Sequence, residues 1–180
     1  MKAFESQFLS QGAARRMATH ITDYISVQQR AVDLGCMVPQ GIALLPVNFD
    51  SATARTDFLQ LSEAATVRTL FRNNSLPIEE LLPASERAPY IQNNAFEWVA
   101  PTLFISSALL TQNQVAAEVA LHVLASYIKD FFKGMTGTKT VKLDIVVEKK
   151  GDRSCKKISY EGDVAGIDTL SDVIRQIADE

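Results

Sequence analysis

The chain has 180 residues, a formal net charge of −3, a hydrophobic fraction of 47% and a charged fraction of 22%. That length and balance describe one folded domain with a core of its own and exclude a disordered chain. The small acidic excess argues against general affinity for nucleic acid or for an anionic membrane surface, both of which call for a basic surplus.

Charge is nevertheless unevenly placed. Residues 129–157 hold nine Lys and Arg against four acids, and residues 158–180 hold one Arg against six acids. Cys36 and Cys155 lie far apart without a CxxC companion, so no metal site, cofactor or disulfide framework is expected. The opening MKAFESQFLSQGAARR has no continuous apolar stretch of the secretory type, which points to a reducing, cytoplasmic location.

Residues 13–34 carry Met17, Ile21, Tyr24, Ile25, Ala31 and Val32 at steps of three and four, with Gly35 at the end. The spacing predicts an amphipathic helix, and residues 1–35 are expected to form an N-terminal helical segment beside a body of residues 36–180. GIALLPVNFD (41–50) predicts a short buried strand that either ends at Leu45 or lies at a sheet edge, because Pro46 cannot donate to a ladder. From Ser51 to Asn73 the pattern is helical, with Phe58, Leu61, Ala64, Val67 and Phe71 inward.

Residues 74–101 hold four of the six prolines and read as an irregular stretch with one helical turn at IEELL. The most apolar segment follows. Thr111 and Gln114 have the spacing of a capping box and Gly134 that of a left-handed stop, which predicts a helix over about 112–133. At roughly 1.5 Å per residue this helix is long enough to cross a bilayer. Glu118, His122, Lys129 and Lys133 interrupt it along one narrow stripe, so a buried central helix with one polar edge is expected instead.

VKLDIVVE (141–148) and KKISYEG (156–162) alternate with a period of two around KKGDRS and predict a β-hairpin. On the first strand Lys142, Asp144 and Glu148 are expected to face solvent. A last amphipathic helix presents Ile167, Leu170, Val173, Ile174 and Ile177, with Asp168 as its cap. The fold class that follows is α+β: one domain, a small and mainly antiparallel sheet with a C-terminal hairpin, and several helices around the central one.

No reaction-specific motif is present. GMTGTKT (134–140) lacks the phosphate-loop spacing and leads from helix to strand, the reverse of what a phosphate cradle needs. GxSxG, HExxH and CxxC are absent. Asp144, Glu148 and Lys150 have the residue types of a metal-dependent nuclease, but cross-strand charge pairing accounts for them without chemistry.

The expected function is therefore a non-catalytic interaction or regulatory subunit working as a homo-oligomer or with a larger protein partner. It rests on the missing catalytic constellation, the amphipathic N-terminal segment and the polarised charge. The alternative is a small-molecule site, sensory or hydrolytic, where Arg87, Tyr90 and Trp98 of the loop meet His122 and Lys129 of the helix.

Overall fold

The strongest alternation in the chain gives its longest strands. In the computed structural model, which describes residues 18–92, 98–137 and 139–180, β8 (Val141–Glu148) and β9 (Cys155–Gly162) form an eight-residue antiparallel hairpin. Outside β9 lies β1 (Ala18–Tyr24), antiparallel to it from Ala18 opposite Glu161 to Tyr24 opposite Cys155. Inside β8 come β7 (Thr102–Ile105), β2 (Ile42–Leu45) and β4 (Ile78–Glu79), giving the order β1-β9-β8-β7-β2-β4. The short β6 (Trp98–Val99) also pairs with β8, and β3 (Gln60–Leu61) with β5 (Tyr90–Ile91) forms a separate parallel pair.

The fold is α+β, with five α-helices among the described residues and a mixed sheet. The expectation of a mainly antiparallel sheet is met only in part. β1·β9, β8·β9 and β2·β7 are antiparallel, but β7·β8, β6·β8 and β2·β4 run parallel. β7 and β8 are joined through two helices, α3 (Ser107–Gln112) and α4 (Ala116–Phe131), and a crossover of that kind is what parallel neighbours require.

Two clusters of buried side chains lie on opposite faces of the sheet. On one, Ile42, Leu103, Ile105, Leu143, Ile145, Val147 and Ile158 pack against α2 (Glu63–Asn73), α4 and α5 (Leu170–Ala178). On the other, Ala43, Leu45, Phe104 and Val146 meet Val27 of α1 (Val27–Asp33), Phe49 and Phe58. The central strands β2, β7 and β8 are thus covered on both sides, whereas β1 is mostly exposed.

The N-terminal helix expected over 13–34 is corrected. Residues 13–17 lie outside the described residues, as does the rest of 1–17. Ala18–Tyr24 form a strand, and only Val27–Asp33 are helical, with the Ser26 hydroxyl accepting from Gln29 N–H at 3.2 Å. Thr19, Ile21, Thr22 and Tyr24 are β-branched or aromatic, and pairing with β9 satisfies their backbone groups better than an isolated helix would. From Ala18 onward the segment belongs to the sheet rather than forming a helical unit beside it.

The central helix is also different from its expectation. It is broken at Asn113, whose side-chain oxygen accepts from Val115 N–H at 3.3 Å and whose carbonyl accepts from Ala116 N–H at 3.2 Å. Thr111 donates back to Ser107 O inside α3, so it does not cap α4. The cap lies earlier, at Ser106, whose hydroxyl accepts from Leu109 N–H at 3.1 Å. Nor is α4 buried on nearly all sides. Ala116, Ala117, Ala120, Leu121, Leu124, Ala125 and Ile128 face the core, while Glu118, Val119, His122, Ser126 and Lys129 are exposed. Gly134, at φ +80°, ends the segment as expected. Among the described residues no helix is long and apolar enough to cross a membrane.

Between β2 and α2 the expected helix of 51–73 starts only at Glu63. Asn48 draws the preceding loop closed, donating to Asp57 O at 2.9 Å and accepting from Leu59 N–H at 2.9 Å. Such side-chain bonds compete with a helical backbone, and they let Phe49 and Phe58 pack at a ring separation of 6.0 Å. The IEELL turn is β4 at its start, held beside β2.

Candidate functional site

The structure distributes the five expected site residues over separate places. Trp98 is 3% exposed and its ring meets Tyr127 of α4 edge-on at 6.2 Å, so it fills the core. Lys129 is exposed on α4. His122 lines a shallow depression of about 410 Å³ with Val115, Glu118, Val119 and Asp168. Arg87 and Tyr90 share a smaller groove of about 140 Å³ at the β4 side of the sheet, and the two concavities have no lining residue in common.

The depression offers little chemistry. Glu118, one helical turn before His122, is paired with Arg175 at 2.9 Å. Among the described residues no group of three His, Cys, Asp or Glu is arranged to hold a metal.

The groove is richer. It is lined by Leu44, Pro46 and Gln60, by Arg68 and Arg72 of α2, and by Glu80, Arg87 and Tyr90. Gln60 is buried but satisfied, donating to Leu45 O at 3.2 Å and accepting from Leu61 N–H at 2.9 Å. Arg68 and Arg72 stand one turn apart on the same helix face, where like charges repel. Glu80 sits between them. Its Oε1 lies 2.6 Å from Arg68 Nε and accepts from Arg72 at 3.0 Å. The Arg68 Nε–H is not aimed at that oxygen, so this buried donor has no hydrogen-bond partner among the described residues. Arg87 makes no hydrogen bond or ion pair among them either.

Sequence reasoning found Arg87 and Tyr90 but missed Arg68, Arg72, Gln60 and Glu80. The i, i+4 arginine pair on one helix was the available signal.

A second polar centre lies under α1. Glu148, expected on the solvent face, is 0% exposed. Its Oε1 accepts from Ser107 N–H at 3.0 Å, from the Ser107 hydroxyl at 2.7 Å and from Gln28 Nε2 at 3.2 Å, while Oε2 has no partner among the described residues. The cause of the correction is α1, which covers that end of the hairpin face. The nuclease-like grouping is not assembled, because Lys150 pairs with Asp179 at 3.0 Å.

On the open part of that face His20, Ser159 and Asp144 form one cross-strand row. A hydrolytic triad needs the imidazole between hydroxyl and carboxylate. Here the serine holds the middle strand, and the backbones of His20 and Asp144 stand two strand spacings, roughly 10 Å, apart.

Part of the polarised charge is paired within the chain, where three lysines of the basic segment meet the last two acids. Glu180 takes Lys149 at 3.1 Å and Lys156 at 3.0 Å, and bonds from these two lysines hold its carboxyl below the usual carboxylate range. No family model matches the chain. No curated protein matches it. No solved structure matches it.

Proposed function

We propose that the chain is a non-catalytic interaction or regulatory subunit that works as a homo-oligomer, joined to a second copy through β1. The supporting observation is the long outer edge of the sheet, unpaired among the described residues. Among the described residues β1 pairs only with β9, and its seven residues contain no Pro, Lys or Gly. Proteins ordinarily blunt an edge by shortness, lysine, proline or a bulge. The opposite edge follows that rule, since β4 is two residues long.

A second copy suits this strand better than an unrelated one. Two β1 strands run antiparallel about Ile21 place Ile21 against Ile21, His20 against Thr22 and Thr19 against Asp23. No like charges are opposed, and the β-branched Ile21 side chains meet at the axis. Ile21, 47% exposed, belongs to the row of Ile158 and Ile145, so the pairing extends a buried apolar row across a two-fold axis. Because the contact is isologous and the other edge is short, assembly stops at two copies.

Light scattering coupled to size exclusion on the full chain tests this. The expected mass is twice 19.8 kDa, falling to the single-chain value in Ile21→Lys, which sets two ammonium groups against each other at the axis. A chain that stays monomeric at high concentration, or a dimer indifferent to Ile21→Lys, overturns the proposal.

A further inference from the structure

We infer that the groove between α2, β4 and the loop carrying Arg87 is a binding site for a compact oxyanion, the phosphate group of a small phosphomonoester. Three arginines line it against a single glutamate, in a chain whose net charge is −3. The neighbouring acids are engaged elsewhere. Glu86 pairs with Arg55 at 3.0 Å, and the Glu79 carboxylate accepts the backbone N–H groups of Gln40 and Gly41.

The arrangement leaves donors without acceptors. Both α2 arginines converge on one oxygen, Oε1 of Glu80. Each guanidinium has five N–H donors in a planar fork. Arg68 Nε is ion-paired with Glu80 Oε1 at 2.6 Å but makes no hydrogen bond, and the Arg87 guanidinium, exposed to solvent, has no acidic partner among the described residues. Concentrated, incompletely neutralised guanidinium groups are what planar bidentate recognition of phosphate uses.

Size limits the ligand. Sites for drug-sized molecules run to roughly 300–1,000 Å³; the groove is about 140 Å³, enough for a charged group and not for an entire nucleotide cofactor. Tyr90, exposed at the mouth, offers a ring face to whatever the phosphate is attached to. This site is independent of β1 pairing, because no groove residue belongs to β1.

The test is calorimetric titration of the full chain with inorganic phosphate and with phenyl phosphate at constant ionic strength, sodium chloride serving as control. Saturable binding of both is expected, several-fold tighter for phenyl phosphate. Arg87→Ala should weaken both at least tenfold, and Tyr90→Ala should abolish only the preference for phenyl phosphate. Arg87→Ala should also melt no lower than the parent in phosphate-free buffer, and its elution mass should be unchanged. The inference is overturned if chloride reproduces the heats, or if Arg87→Ala binds phosphate as the parent does while remaining folded.

Discussion

Glu148 and Ser107, 41 residues apart in sequence, are joined twice: one carboxyl oxygen accepts both the backbone N–H and the hydroxyl of Ser107. The contact ties the end of β8 to the start of α3 beneath α1, with Gln28 as the third donor. Glu148→Ala strands three donors in a buried place and is expected to cost about 3 kcal/mol or more. Ser107→Ala should cost about 1.5–3 kcal/mol, and the double variant less than the sum. Urea unfolding measures all three. A Glu148→Ala chain within about 0.5 kcal/mol of the parent would show that the tie contributes little.

The two sides of α4 should respond differently to truncation. Leu124 is fully buried, and Leu124→Ala should cost about 2–5 kcal/mol through lost burial and the cavity left behind. His122 is exposed, and His122→Ala should change stability by no more than about 0.5 kcal/mol. Paired denaturation curves decide it. A large loss in His122→Ala would place the imidazole in the packing of the helix.

Alkaline pH should weaken the fold. Burial pushes the Cys155 thiol up from its ordinary 9.0 to about 11. Burial, with Asp163 adding to it, pushes the Tyr160 hydroxyl from 10.0 to about 12. A raised folded value means the unfolded chain loses its proton first. The contribution is therefore complete below pH 9 and declines as pH rises toward about 11 and 12. The urea midpoint should fall steadily above about pH 9, and Cys155→Ala should flatten the earlier part of that fall. A midpoint that rises over this range would contradict the burial of both groups.

Much of the architecture was legible locally. Alternation alone located β8 and β9, because a period of two is imposed by the pleat whatever surrounds the strand. Pro46 marked the end of β2, and Gly134 marked the end of the α4 segment through its positive φ. The apolar periodicity of α5 was likewise readable, as was the inward face of α2 from Ala64 onward.

Other features depended on neighbours far away in sequence. Ile21 and Tyr24 fit a helical stripe as well as a strand, and only β9, some 135 residues later, selects the strand by satisfying its backbone. Of the candidate site, Arg87 and Tyr90 were visible as an exposed cation and ring in a proline-rich loop. Their meeting with Arg68, Arg72 and Glu80 required α2 and β4 to be packed together.

The chain's own order of residues thus determined an α+β domain, the hairpin, and the segments that must hide apolar side chains, since these follow from periodicity and backbone chemistry within a few residues. Tertiary structure alone decided that Glu148 is buried, that α4 shows His122 to solvent, that Glu180 and Asp179 take up Lys149, Lys156 and Lys150, and that β1 pairs on one side only among the described residues. Each is a matter of what lies opposite a residue across space, and burial and charge are properties of that surrounding rather than of the residue.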